Sequence, residues 1–194
     1  CIDVYYRKER LKPEFAERTI INAVGIRYED ATLDGVDENI RLKLLNLEYG
    51  QDVFMTGRIG AGKTWTMSGL FRYYTYEGYE CRRINFDDFC VQVRSTMSAA
   101  SKQTEYELIE PLKQIDKLFI DDLGLKSKTE SDFTYTTLFS VLNKRQERML
   151  PTFITSNKTI EQLGQVFDAR ITSRLSTALT IAMTGKDRRI HREQ

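Results

Sequence analysis

The feature that most constrains this 194-residue chain is the segment GRIGAGKT at positions 57–64. It matches the pattern G-x-x-x-x-G-K-[ST] at every fixed position. Glycines allow backbone conformations that a Cβ atom would forbid, so the N–H groups of such a loop can point at phosphate oxygens. The lysine adds a positive charge for the terminal phosphates, and the threonine adds a hydroxyl ligand for Mg²⁺. The segment therefore predicts a site for nucleotide phosphates.

The flanks of this loop have the pattern that a phosphate site requires. A short apolar run at 52–56 precedes the loop, and residues 63–74 have a helical pattern. Such a strand and helix position the loop, and the helix adds the positive end of its dipole. These flanks disfavour the alternative of a chance glycine-rich turn. The predicted nucleotide-binding residues are Gly57, Arg58, Ile59, Gly60, Ala61, Gly62, Lys63, Thr64 and Trp65, although an aromatic residue at the last position more often belongs to a core.

The rest of the chain alternates between strand and helix patterns. Further strands are predicted at 79–85, 117–120, 151–155 and 179–183, with helices at 86–97, 105–113, 133–148, 160–167 and 169–176. Strands that alternate with helices favour a parallel sheet covered on both faces. Before the loop, the pattern predicts a helix at 38–49 and a charged helical lead-in over 1–24 that Pro13 interrupts.

Two acids follow the third apolar strand, in the segment KLFIDDLG at 117–124. An acid at the end of a strand near a phosphate loop can hold Mg²⁺ through the water shell of the ion. We assign this role to Asp121, with Thr64 as the second Mg²⁺ ligand. Asp122 is then placed to orient or activate the attacking water. The alternative is that both acids are a solvated strand end.

Two later segments carry further candidates for catalysis. The segment PTFITSN at 151–157 ends in Asn157, whose amide is expected to reach the terminal phosphate or the attacking water. Its alternative is ordinary turn chemistry. The segment DARITSRL at 168–175 places Arg170 and Arg174 on one face of a helix. An arginine presented to the phosphate of a neighbouring subunit stabilises transition-state charge, and an exposed helical pair is the alternative.

Composition excludes some classes and leaves others open. The formal net charge is +1, so any surface for nucleic acid must be local. The three cysteines lack the spacing of a disulfide framework or a zinc site, which favours a cytoplasmic location. No run of 18 apolar residues is present, so no membrane partner is expected. The chain begins at Cys1, and we expect residues 1–36 to be the remnant of a longer N-terminal segment.

The four segments GRIGAGKT, FIDDLG, FITSN and ARITSRL stand in the order found in AAA+ ATPases. The chain most resembles the replicative helicase loaders of the DnaC/DnaI type and their IstB-like relatives. GIRYEDATLDG at 25–35 is similar to the segment before the loader core, and GKDRR at 185–189 to the loader tail. The resemblance implies an α/β P-loop NTPase of AAA+ type, with a parallel five-stranded sheet, helices on both faces and no separate lid domain. The resemblance covers roughly residues 25–189, and we place the ATP-binding domain at 37–194.

The resemblance also implies site roles and partners. ATP and Mg²⁺ are the expected cofactors, and Arg174 is expected to act on an adjacent subunit. Arg170 and Arg189 are further phosphate-sensing candidates. The expected partners are single-stranded DNA, a replicative helicase hexamer, and other copies of the chain through the ATP interfaces. The helical region 86–111 is expected to face DNA through Arg94 and Lys102, or else to be ordinary helical packing.

Other functions remain open. Asp122 stands where many AAA+ enzymes have glutamate, and a shorter acid predicts slow hydrolysis. One alternative is an IstB-like transposition helper ATPase that binds duplex DNA and a transposase. Another is a nucleotide-switched interaction module with little hydrolysis. A small-molecule kinase is disfavoured, because neither a substrate pocket nor a lid is visible in the sequence.

Overall fold

The computed structural model describes residues 12–98, 101–124 and 132–184. The elements follow one another in the alternating pattern that the sequence predicts. In chain order they are α1 (Pro13–Val24), a 3₁₀ turn (Ile26–Tyr28), α2 (Glu38–Leu45), β1 (Val53–Gly57), α3 (Lys63–Tyr76), β2 (Cys81–Asn85), α4 (Phe86–Thr96), α5 (Glu105–Gln114), β3 (Lys117–Asp121), α6 (Asp132–Glu147), β4 (Thr152–Ser156), α7 (Ile160–Gly164), α8 (Ala169–Leu175) and β5 (Leu179–Met183).

The five strands form one parallel sheet in the order β2-β3-β4-β1-β5. In the register of the central strand β1, Val53 pairs with Phe153 on one side and Leu179 on the other. Each strand lies where the sequence predicts it, with no end displaced by more than two residues. The predicted parallel five-stranded sheet is therefore confirmed.

Side chains alternate between the two faces of this sheet, and each face has its own core. Phe54, Ile120 and Ile154 belong to a cluster with α4 to α8. Met55 and Phe119 belong to a second cluster with α1, α2 and α3. Within the described ranges, every helix contributes to one of these two cores, and no separate lid domain is present there. Among the same residues, no helix is both long and apolar enough to cross a membrane.

Of the predicted lead-in, residues 13–24 form α1 with Pro13 in its first turn, where N–H groups have no partner within the helix, and residues 1–11 lie outside the described part of the chain. One helix prediction needs correction. The helix predicted over 38–49 ends at Leu45. Asn46 leaves the helical conformation there, and its side-chain amide donates to the Leu42 carbonyl at 2.8 Å.

The predicted lead-in shares the core of the sheet. Ile20 and Val24 of α1 are buried in the second cluster, together with Leu33 and Val36. These contacts hold α1 against α3 and near β2. The boundary at residue 36 between a lead-in and an ATP-binding domain stays a prediction, because the two parts pack as one body here.

A fully buried arginine joins α6 to the amino ends of β3 and β4. Arg145 of α6 donates from Nε to Thr152 Oγ1 at 3.0 Å. Its two terminal nitrogens donate to four carbonyl oxygens, those of Leu112, Ile115, Asp116 and Pro151. Burial lowers the pKa of Arg145 to about 10, so the guanidinium is still charged at neutral pH.

Candidate nucleotide site

The phosphate loop lies at the carboxyl end of β1, where the structure requires glycines. Gly60 and Gly62 have φ values of 83° and 92°, and Gly62 is the N-cap of α3. Gly57 has a φ of 154°, and a Cβ atom there would lie 2.2 Å from the Met183 carbonyl oxygen of β5. The glycine pattern therefore meets two local needs, left-handed backbone and close approach of β5.

We expect Gly57→Ala to lower the free energy of unfolding by about 2–4 kcal/mol, because the new methyl group must displace the paired backbone of β5. Chemical denaturation measures this loss. Gly164→Ala is the matched control, since a Cβ atom there meets only Thr172 Cγ2 at 3.5 Å. Equal stability of the two variants would contradict the close approach at Gly57.

Lys63 joins the loop to the end of β4. Its ammonium donates to the carbonyl oxygens of Gly57 at 2.7 Å and Arg58 at 2.9 Å. It also donates to Asn157 Oδ1 at 2.6 Å. The residue is 7% exposed, so this charge lies in a partly desolvated site where its interactions are stronger than in water.

The first acid, Asp121, is buried and accepts from side chains of three elements. Its Oδ1 accepts from Thr64 Oγ1 at 3.3 Å and from Thr155 Oγ1 at 2.5 Å. Its Oδ2 forms an ion pair with the guanidinium of Arg83 on β2. The predicted pair of Mg²⁺ ligands, Thr64 and Asp121, is thus brought together in the structure.

The second acid, Asp122, leaves the strand with a φ of 59°, a conformation that aspartate tolerates better than most residues. Its backbone N–H donates to Thr155 Oγ1 at 2.9 Å. Its Oδ1 accepts from Asn157 Nδ2 at 2.7 Å. Asn157 therefore bridges Asp122 and Lys63, with its amide nitrogen on the acid and its amide oxygen on the ammonium.

These residues surround one cavity of about 680 Å³. The cavity wall includes nine of the predicted residues, namely Ile59, Gly60, Gly62, Lys63, Thr64, Trp65, Asp121, Asp122 and Asn157. Three predicted loop residues do not line it. The carbonyl oxygens of Gly57 and Arg58 accept hydrogen bonds from Lys63, and Ala61 is buried in the second core.

Sequence reasoning missed several residues of the same wall, among them Arg27, Tyr28 and Arg83. Arg27 and Tyr28 lie in the 3₁₀ turn, far from the loop along the chain. A signal for Arg83 existed, because strand alternation turns Arg82 and Arg83 to opposite faces of the sheet.

The two arginines of α8 do not line this cavity. Arg170 forms an ion pair with Asp168 at 2.9 Å and lies over the ring of Phe139. The hydrogen bonds to Asp168 raise the pKa of Arg170, and those from Arg170 lower the pKa of Asp168. Arg174 donates to Asn143 Oδ1 at 2.6 Å. Arg189 lies outside the described residues, and its role stays a prediction.

A parallel five-stranded sheet with this loop after β1 and two acids at the carboxyl end of β3 defines a P-loop NTPase of AAA+ type. The model of the family described as IstB-like ATP binding protein matches residues 29–191. The chain therefore belongs to this family.

Relatives of known role are replicative helicase loaders. The chain is 23% identical over 140 residues to the loader DnaC of Buchnera aphidicola subsp. Acyrthosiphon pisum, covering 71% of the chain and 56% of the relative. It is 27% identical over 118 residues to the loader DnaI of Bacillus subtilis, covering 61% of the chain and 37% of the relative. The matched part is thus about half the length of these relatives or less.

Solved structures share the fold. A structure of DnaI superposes with a TM-score of 0.66 at 23% identity, covering 88% of this chain and 93% of that one. The replication initiator DnaA bound to AMPPCP and single-stranded DNA superposes with a TM-score of 0.68 at 21% identity, covering 79% of this chain and 50% of that one. These comparisons confirm the predicted fold and the resemblance to loaders.

Proposed function

We propose that the chain binds ATP with Mg²⁺ and hydrolyses it slowly. The observation that carries this proposal is the convergence of Lys63, Thr64, Asp121, Asp122 and Asn157 on a single cavity. Phosphoryl transfer needs positioning and charge stabilisation more than covalent chemistry, and this set supplies both. In this proposal Lys63 and the loop N–H groups bind the phosphates.

The residues present fit a Mg²⁺ ion. The hydroxyl of Thr64 and the carboxylate of Asp121 are hard oxygen ligands with 3.3 Å between the two oxygens. A Mg²⁺ ion bound together with a nucleotide needs only one or two protein oxygens, since phosphates and water complete its shell. When bound, Mg²⁺ would neutralise charge on the phosphates, and Thr64 and Asp121 would hold it.

Asp122 and Asn157 have the geometry of a water-positioning pair. The hydrogen bond between them fixes the carboxylate next to the amide, at the same wall as Lys63. We propose that Asp122 accepts a hydrogen bond from the attacking water. We further propose that Asn157 contacts the terminal phosphate and, through its hydrogen bond to Asp122, couples that phosphate to the carboxylate. Aspartate is shorter than glutamate, which supports slow turnover.

We further propose that this ATPase serves a replicative helicase loader. The support is the relationship to the loaders DnaC and DnaI. In this role the chain would bind single-stranded DNA and a helicase hexamer in a cytoplasmic setting, and self-associate through its ATP interfaces. Arg94 and Lys102 are exposed between β2 and β3, as DNA contacts require.

A second candidate is a transposition helper ATPase, which the IstB-like family model favours. The preferred form of DNA separates the two. We expect a labelled single-stranded oligonucleotide to bind in the presence of ATP, with weaker binding of a duplex of the same sequence, as measured by fluorescence anisotropy at fixed salt. A clear preference for the duplex would favour the transposition helper.

We propose that Arg174, with Arg170 as a second candidate, completes the site of an adjacent copy. Both arginines lie away from the cavity of their own chain, which supports action between subunits. Arg174→Ala should therefore bind ATP normally and lose assembly-dependent hydrolysis.

Mixing variants tests this arrangement. Arg174→Ala and Asp122→Ala spoil opposite halves of a shared site, so an equal mixture should regain about a quarter of the wild-type hydrolysis if subunits pair at random. The control is Lys144→Ala, an exposed change on α6 that should leave hydrolysis unchanged. A mixture as inactive as either variant alone would contradict action between subunits.

A further inference from the structure

Arg83 connects the candidate metal site to the first helix, and no role in nucleotide binding was predicted for it. It lies on β2, one of the two edge strands of the described sheet, opposite Phe119 in the register. Phe119 belongs to the core under α1 and α3, so Arg83 is directed to that same side. Arg82, the preceding residue, is exposed on the other side.

The guanidinium of Arg83 bridges two elements. Nη2 binds Asp121 Oδ2, and Nη1 donates to the Ala23 carbonyl oxygen at 3.1 Å. Nε is buried and finds no acceptor in the part of the chain that the structure describes. The Arg83 side chain is 16% exposed and that of Asp121 is 5% exposed, so the ion pair is largely removed from water.

Two cations would therefore bind one carboxylate. Arg83 binds Oδ2 of Asp121, while the proposed Mg²⁺ site uses Thr64 and Oδ1 of the same group. Positive charges at such short range repel each other strongly in a site of low exposure. Arg83 is also a planar donor with several N–H groups, so it can change acceptors within the cavity that it lines.

The other end of the bridge leads back to the nucleotide cavity. Ala23 lies in the last turn of α1, and Gly25 follows with a φ of 74°. The 3₁₀ turn comes next, and its Arg27 and Tyr28 form part of the cavity wall. One hydrogen bond, to the Ala23 carbonyl oxygen, therefore ties Arg83 to the helix end just before residues 24–28.

We propose that Arg83 is a positioning residue that holds Asp121 to the end of α1 and releases Asp121 when Mg²⁺ and nucleotide bind. Residues 24–28 thereby respond to the metal as well as to the nucleotide. This inference rests on the proposed function. It assigns to the ATP site a link with the chain segment that precedes the sheet.

A Mg²⁺ titration tests the competition between the two cations. The probe is fluorescent methylanthraniloyl-ADP at fixed concentration, with wild type, Arg83→Gln and Arg82→Gln compared. Arg82→Gln removes the same charge from the neighbouring, exposed position. We expect the half-saturating Mg²⁺ concentration of Arg83→Gln to fall about tenfold, because a charge at contact distance shifts ionic equilibria by about one to three powers of ten. Arg82→Gln should match wild type.

Hydrogen exchange at residues 24–28 tests the link to α1. In wild type, adding Mg²⁺ to the ADP complex should change the exchange of these amides, and in Arg83→Gln it should not. Arg83→Lys keeps the charge but has no planar fork to reach both acceptors. We expect this variant to keep the wild-type Mg²⁺ dependence of ADP binding and to lose the response at 24–28. If Arg83→Gln does not fold, Arg83→Lys still tests the link between Arg83 and residues 24–28.

The outcomes separate this inference from the proposed function. If the wild-type protein bound no ADP at any Mg²⁺ concentration, the nucleotide site itself would be overturned. If the wild-type protein bound ADP but Arg83→Gln needed as much Mg²⁺ as wild type, or more, the inference alone would be overturned. A response at 24–28 that persists in both Arg83 variants would overturn the link to α1.

Discussion

Replacing Lys63 with alanine is expected to weaken ATP binding by about 100-fold, which corresponds to about 2.7 kcal/mol. The ammonium is nearly buried and joins the loop carbonyls of Gly57 and Arg58 to Asn157. Removing it takes away a charge for the phosphates and the bridge between the loop and β4. Isothermal titration with ATP and Mg²⁺ measures the change.

The control for this variant is Lys158→Ala. Lys158 lies next to Asn157 and carries the same charge, but it does not line the cavity. Its replacement should change ATP affinity by less than about threefold, as expected of a charge outside the site. Equal ATP affinities of wild type and Lys63→Ala would contradict the assignment of the phosphate loop.

Arg145→Ala should cause the largest loss of stability, about 3–5 kcal/mol in the free energy of unfolding. The side chain is fully buried, and its replacement removes one hydrogen-bond donor from each of four carbonyl oxygens and from Thr152 Oγ1. It also leaves a cavity between α6 and the sheet. Urea unfolding followed by circular dichroism measures the loss.

Lys144→Ala serves as the neighbour control, since the Lys144 side chain is 44% exposed and pairs with Glu147 on its own helix at 3.1 Å. Such surface pairs contribute less than about 1 kcal/mol. If Arg145→Ala were as stable as Lys144→Ala, the arginine would not be the structural link between α6 and the sheet.

The fold was largely predictable because its signals are local. Apolar runs such as 117–120 and 151–155 mark buried strands, and the loop at 57–64 specifies the strand before it and the helix after it. Element ends were less predictable. At the end of α2, the backbone and side-chain amides of Asn46 both donate to the Leu42 carbonyl, and the apolar pattern of the sequence does not mark this stop.

The candidate site was predictable where motif residues face each other across the ends of β1, β3 and β4. Thr64 and Asp121 were expected to hold the same ion, Asp122 to orient the attacking water, and Asn157 to reach the terminal phosphate or that water. Thr64 is hydrogen-bonded to Asp121 in the structure, and Asn157 to Asp122. The ion pair of Arg83 was not predicted, because strand alternation separates the faces of Arg82 and Arg83 but does not say that β2 lies beside β3. The burial of Arg145 was not predicted either, because carbonyl acceptors carry no sequence signal.

The measurement that tests the central claim most directly is the steady-state rate of ATP hydrolysis with Mg²⁺, without DNA, with single-stranded DNA and with duplex DNA. The account predicts a slow basal rate that rises with the single strand and falls to background in Asp122→Ala. A rate that Asp122→Ala leaves unchanged, or no hydrolysis under any of the three conditions, would contradict it.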